Sequence, residues 1–179
     1  RIEASYKKAE TVFVPTFKKL AKSFIGLDLN IQPKRSNKRI KLVLELQGTA
    51  RTESFQLSES QRFFLDIALR MALAIFLSEK KNGVTMLVDT PEGSLDIAYE
   101  SRVGNMFAEY TSVYYQNLFM TANINASQLL LSLAEKCGKD KMKFRRMLEW
   151  TDPSEIQKEG EHLFKKVYAN IDTALNTKR

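Results

Sequence analysis

Val84-Thr85-Met86-Leu87-Val88-Asp89-Thr90-Pro91-Glu92-Gly93-Ser94-Leu95-Asp96 decides the fold of this 179-residue chain. Its first five residues form a run without alternation, which reads as a short strand covered on both faces, as in a parallel α/β sheet. The run ends in Asp89. An acidic residue at the carboxyl end of a buried parallel strand sits where α/β sheets place ligands. There it holds a hydrated Mg²⁺ beside a nucleotide, or it simply caps the following turn.

Working outward, Asn117-Leu118-Phe119-Met120 is a second buried-strand candidate, ending in Thr121-Ala122-Asn123. If the two strands are neighbours, those polar ends lie beside Asp89. A helical pattern from Leu95 to about Tyr110 separates them, and another helix is expected over Ala126 to Lys136. Upstream, Phe63, Phe64, Ile67, Ala68, Met71, Ala72 and Ile75 trace a broad apolar helical face that stops at Lys80-Lys81-Asn82-Gly83. Phe63, Phe64, Met71, Ile75 and Phe107 read as core. Trp150 and the Tyr114-Tyr115 pair pack in the core or against another part of a longer protein.

Phe13, Phe17, Leu20 and Phe24 recur at helical spacing, with a bend or restart expected at Pro15 and a stop at Gly26. Leu27, Leu29 and Ile31 alternate with polar residues, and alternation resumes at Ile40, Leu42, Leu44 and Leu46 beyond the turn-rich Pro33-Lys34-Arg35-Ser36-Asn37-Lys38. That predicts a hairpin. Asp152-Pro153-Ser154-Glu155 reads as an N-cap with Pro at the first helical position, opening a last helix to about Leu175. The expected class is α/β, with a leading helix over 1–26 and the main body over 27–179.

Composition narrows the chemistry. With 44% apolar and 27% charged residues the chain has a globular composition. The 28 Lys and Arg against 21 Asp and Glu give +7, compatible with a polyanionic partner or with a merely basic domain. One cysteine (Cys137) and one histidine (His162) exclude an intrachain disulfide and a Cys/His zinc cluster within these residues, and point to a cytoplasmic protein. The longest apolar run, Met71 to Leu77, falls short of the roughly 20 residues of a spanning helix, so no membrane segment is expected. The chain starts at Arg1 inside a helical pattern, without signal-peptide character, and reads as part of a longer protein.

Leu57-Ser58-Glu59-Ser60-Gln61 opens the long apolar helix. Ser58 with Gln61 three residues on matches a capping box. The same helix N-terminus, with a serine hydroxyl, also suits a phosphate.

This segment resembles the signature motif of ABC-type ATPases, usually Leu-Ser-Gly-Gly-Gln or Leu-Ser-Gly-Gly-Glu. Val88 to Asp96 resembles a Walker B strand followed by a D-loop, in the right order and at a similar separation. The leading helix and hairpin resemble the C-terminal lobe of SMC-like heads, where a coiled coil returns. The Asp-Thr-Pro-x-Gly-x-Leu-Asp pattern is similar to double-strand-break-repair and bacterial-defence members. The resemblance implies half of a P-loop ATPase head, completed by an N-terminal lobe carrying the Gly-x-x-x-x-Gly-Lys-[Ser/Thr] loop, which these residues lack.

It further implies an ATP hydrolase using ATP and Mg²⁺, active when two heads dimerise around nucleotide. Ser58, Glu59, Ser60 and Gln61 would meet the γ-phosphate held by the opposite subunit, with Glu59 and Ser60 replacing the two glycines. Asp89 would orient Mg²⁺ through water, and Ser94 and Asp96 would form the D-loop. Thr90 occupies the position of the water-polarising glutamate, which leaves Glu92 as the nearby carboxylate. Thr121, Ala122 or Asn123 stands at the position of the switch histidine. Slow turnover is therefore expected. The alternative is a degenerate scaffold, sensing DNA or signalling to an effector subunit without hydrolysis.

Lys34, Arg35 and Lys38, with Arg39, Lys41 and Arg51 in and beside the hairpin, either touch DNA phosphates or form a solvated loop. Lys139, Lys141, Lys143, Arg145 and Arg146 form a second basic run open to the same two readings.

Overall fold

The computed structural model describes residues 2–36, 39–78, 83–124 and 127–177. The order of long elements is α1 (Ile2–Lys8), α2 (Val14–Ile25), β1 (Leu29–Ser36), β2 (Arg39–Leu46), β3 (Thr49–Arg51), α3 (Glu59–Leu77), β4 (Thr85–Val88), α4 (Glu100–Ser112), β5 (Asn117–Met120), α5 (Ser127–Cys137), α6 (Glu155–Glu159) and α7 (Glu161–Thr177). The class is α/β, with an antiparallel β1-β2-β3 sheet and a parallel β4-β5 pair.

The restart at Pro15 takes a specific form. Ala9–Phe13 is a π-turn, in which Val14 N–H reaches back to the Ala9 carbonyl, and Pro15 then falls in the first turn of α2. Widening the turn removes the clash that a proline ring makes with the preceding coil. Gly26 ends α2 at φ +67°, a left-handed cap, while Arg102 Nη1 donates to the Ile25 carbonyl at 3.0 Å. Phe17, Leu20 and Phe24 of α2 interlock with Phe64 and Met71 of α3 and with Met106, Phe107 and Tyr110 of α4. Leu29, Ile31 and Leu46 close this core from the sheet, and Leu129 and Leu133 close it from α5. Lys19 pairs with Glu109 at 2.7 Å, and Ser23 Oγ donates to the other Glu109 oxygen at 2.5 Å. Hydrogen bonding to Glu109 raises the Lys19 pKa.

Several expectations are corrected. The turn-rich Pro33-Lys34-Arg35-Ser36 belongs to β1, where Pro33 stands opposite Leu42. Because β1 is an edge strand, a residue without an N–H is tolerated there. Leu27 precedes the strand. The third strand, β3, follows a tight turn at Gln47 and Gly48, both with positive φ. Phe63 is 36% exposed and stacks edge-on against buried Phe64, so it borders the core. The last helix is capped by Ser154 and not Asp152: Ser154 and Gln157 form a capping box, which gives α6, and Gly160 separates α6 from α7. Lys80-Lys81-Asn82 lies outside the described residues.

The largest departure concerns β4 and β5. Met86, Val88, Leu118 and Met120 face the core, whereas Leu87 and Phe119, paired across the two strands, are 76% and 63% exposed. Only one face is covered, because every described element that packs on this pair does so from the core side. Trp150 and Tyr115 are likewise exposed rather than core, while Tyr114 packs against the core. Cys137 is buried and free.

Candidate functional site

Two neighbouring clusters contain the residues singled out above. The first lies at the carboxyl ends of β4 and β5. Parallel pairing brings Val88 opposite Met120, so the two following segments leave the sheet side by side. Thr121 Oγ1 donates to Asp89 Oδ1, and Thr90 N–H donates to both the carbonyl and Oγ1 of Thr121 at 3.1 Å. Glu92 turns back from the Pro91–Ser94 turn, so that its Oε1 accepts the Asn123 N–H at 2.5 Å. Its Oε2 is shielded from solvent and has no hydrogen-bond partner among the described residues. Asp89 is exposed, and Ala122 packs on the second core cluster, between α5 and α7.

Thr90 is held at φ 41°, ψ 58°. A β-branched residue rarely occupies this left-handed region, and the following proline disfavours it further. The bonds to Thr121 and the turn at Pro91 hold it there. Far below, Gln116 sets the register of the pair: its side chain accepts from Val84 N–H at 2.8 Å and donates to the Tyr114 carbonyl at 2.7 Å.

The second cluster joins the start of α3 to the segment after β4. Ser58 is the N-cap: its Oγ accepts the Gln61 N–H at 3.2 Å, and Gln61 Oε1 accepts the Ser58 N–H at 3.0 Å. The hydroxyl proton of Ser58 takes no part in that box. Glu59 is exposed in the first turn. Ser60 is buried, and its Oγ accepts the Asp96 N–H at 3.1 Å. Gln61 Nε2 donates to Tyr99 Oη at 3.3 Å, and the Tyr99 ring packs on Phe24. Asp96 caps the short turn Ile97–Tyr99 by accepting from Ala98 N–H at 2.9 Å. The side chain of Ser94 lies outside the described residues.

Tyr99 and Glu100 escaped the sequence reading. Glu100 is buried, and its Oε2 accepts the N–H groups of Gln128 and Leu129 at 3.1 and 3.3 Å, so a carboxylate from α4 caps α5. No local pattern announces a cap supplied from 28 residues away.

The hairpin cations belong to the other sheet. Lys34 is exposed and directly opposite Lys41. Like charges so placed repel, and an anion between them would relieve the repulsion. Lys38 and the side chain of Arg35 lie outside the described residues.

No helix among the described residues is long and apolar enough to cross a membrane. No protein-family model matches the chain, and no curated protein does.

Proposed function

We propose that this chain is the C-terminal lobe of an SMC-like ABC ATPase head that binds ATP between two heads, hydrolyses it slowly, and couples closure to DNA. The carrying observation is the convergence of Asp89 and Glu92, after β4, on Thr121 and Asn123, after β5. A strand-end carboxylate oriented by a hydroxyl from the next strand suits a ligand site at the carboxyl edge of a parallel sheet. The half-covered β4-β5 pair supports a missing lobe, since two parallel strands with Leu87 and Phe119 exposed need a further layer.

In this reading Asp89, kept in one orientation by Thr121, would hold Mg²⁺ beside the nucleotide. The donor set, one exposed carboxylate with the Thr121 hydroxyl beside it, suits Mg²⁺ bound with a nucleotide, which needs only one or two carboxylates. When bound, the ion neutralises phosphate charge. Ser58 donates its free hydroxyl proton to a phosphate presented by the opposite head, assisted by the N-terminus of α3. Ser60 has a different task. Its hydroxyl is turned towards Asp96, so it positions the D-loop instead of touching phosphate. Glu92 is the carboxylate available to accept a proton from water once it leaves the Asn123 N–H.

The second reading, a head that binds ATP without hydrolysing it, is favoured by Thr90 at the glutamate position and by that same bond between Glu92 and Asn123. ATP turnover of the protein carrying its phosphate-loop lobe, with and without linear DNA, separates the two. DNA-stimulated turnover that is lost in Asp89→Asn and Ser58→Arg supports the ATPase, and loss in Glu92→Gln assigns the proton acceptor. ATP binding and dimerisation without turnover supports the clamp. Neither binding nor turnover overturns both.

A further inference from the structure

The segment linking α5 to α7 carries the charge that the mechanism above leaves unused. It is fastened at its start, where Lys139 N–H donates to the Leu175 carbonyl at 3.2 Å and Met142 N–H to the Gly138 carbonyl at 3.0 Å. From there exposure alternates residue by residue: Lys141, Lys143 and Arg145 are exposed, while Met142, Phe144 and Arg146 are turned inward. Met142 and Phe144 pack on the α5–α7 core, and the Phe144 ring lies 5.9 Å from that of Tyr168. Arg146 is held by Glu149 at 3.1 Å and by Asp172, with its guanidinium 5.0 Å from the centre of the Tyr168 ring. The inner side of the segment borders a cleft of about 680 Å³ lined by Arg146, Leu148, Phe164, Lys165 and Tyr168. Two of its three cations are already paired, Arg146 as above and Lys165 with Glu161, and Lys158 is the third.

The outer side is different. Lys141, Lys143 and Arg145 form no ion pair among the described residues, and burial of the alternate residues fixes all three on one side. Lys141 lies in the turn closed by the Gly138 carbonyl, and Lys143 and Arg145 follow it outside any helix or strand. Residues two apart in a fully extended stretch are separated by about 6.6 Å. That interval is commensurate with the sugar-phosphate repeat of an extended nucleic-acid strand. The row leads into Met147–Trp150, where the Trp150 side chain is 67% exposed. Asp140 and Asp152 flank the segment at its two ends, and exposed Glu149, between the row and Trp150, is paired with Arg146.

We propose that Lys141, Lys143, Arg145 and Trp150 form a binding strip for single-stranded nucleic acid, the cations following the backbone and the indole stacking on a base. An exposed aromatic beside a row of cations is how proteins hold single strands without reading sequence. A duplex keeps its bases stacked and offers Trp150 no face. The strip stands on its own residues and does not depend on ATP binding or hydrolysis, so it is tested without nucleotide.

The test is the anisotropy of a labelled oligodeoxythymidylate titrated with the chain at several salt concentrations. Trp150, the chain's single tryptophan, provides a second readout. Each phosphate contact on a single strand contributes about 0.7 to the slope of log affinity against log salt, so Lys141→Gln/Lys143→Gln/Arg145→Gln lowers the slope by about 2. Lys7→Gln/Lys22→Gln/Arg62→Gln removes equal charge from exposed positions elsewhere and leaves the slope unchanged. Trp150→Leu weakens binding on the order of 10-fold at constant slope. Binding quenches Trp150 emission in the unsubstituted chain.

The proposal is overturned if the control triple lowers the slope as much as the strip triple, or if the strip triple keeps the original slope. It is equally overturned if Trp150 emission is unchanged at saturation, or if duplex of the same length binds as tightly.

Discussion

Ser60 Oγ accepts the backbone N–H of Asp96 at 3.1 Å, which fastens the first turn of α3 to the segment that follows β4. The neighbouring bond from Gln61 to Tyr99 joins the same two segments. A displacement at the start of α3 is therefore passed to Asp96 without an intermediary. Ser60→Ala removes the acceptor and leaves the part-buried Asp96 N–H without it, costing about 1 kcal/mol in urea unfolding. Under the proposed ATPase function, Ser60→Ala lowers turnover more than it raises the ATP concentration needed for half-maximal rate. An equal loss of ATP affinity would make Ser60 a phosphate ligand instead.

Gly26 and Arg102 form a second close pair. A Cβ on Gly26 would meet Arg102 Nη1 at 1.7 Å, and the residue holds φ +67°. Gly26→Ala adds left-handed strain of about 1–2 kcal/mol and displaces the guanidinium from the Ile25 carbonyl. We expect a total loss of about 2–3 kcal/mol in chemical denaturation. In the Arg102→Ala background the same substitution costs less, because the bond it would break is already gone. Additive losses would refute the coupling.

Tyr110 is fully buried, and its hydroxyl has no hydrogen-bond partner among the described residues. Burial raises its pKa above the ordinary 10.0. The folded chain thus holds the phenolic proton more tightly than the unfolded chain. The stability linked to this proton is complete below pH 10 and is lost as pH rises towards the folded value. Tyr110→Phe removes both liabilities: it stabilises the chain by about 1 kcal/mol at neutral pH and shifts its alkaline unfolding upward. Thermal denaturation between pH 7 and 11 measures both effects.

Thr90 gives the fourth prediction. Glycine accepts φ 41° without the steric cost that threonine bears. Thr90→Gly stabilises the fold by about 1 kcal/mol, the lower end of the strain stored by such a residue. Under the proposed ATPase function it also loosens the fixed relation between Asp89 and Glu92 and lowers turnover. Stability and activity moving together would mean that Thr90 is an ordinary turn residue.

How far the fold was legible depends on where each signal lies. β5 matches its expected residues, Asn117–Met120, and the Ser58–Gln61 capping box is present, because both depend on residues near in sequence. The second face of β4 is not legible, since the apolar run does not say which layer covers Leu87. Pro33-Lys34-Arg35-Ser36 has the composition of a turn, yet an edge strand accepts it. β3 is only three residues long, and Thr49-Ala50-Arg51 carries no apolar alternation to mark it beyond the Gln47-Gly48 turn. At the site, Asp89 is legible from its place at a strand end, and the roles of Glu92 and Thr121 only through the resemblance to the Walker B and switch segments. The bond from Asn123 to Glu92 joins residues 31 apart and follows from strand pairing that no local pattern encodes. The alternating exposure of Lys141, Lys143 and Arg145 was hidden in the same way, because only packing of Met142 and Phe144 on α7 fixes it.

The central claim is that Ser58 completes an ATP site on a second head. Sedimentation velocity of the protein with its phosphate-loop lobe, with and without ATP and Mg²⁺, tests it most directly. The account predicts a monomer without nucleotide, a dimer with ATP, and a monomer in both conditions for Ser58→Arg, which still binds ATP. A Ser58→Arg protein that dimerises with ATP as readily as the unsubstituted one would contradict it.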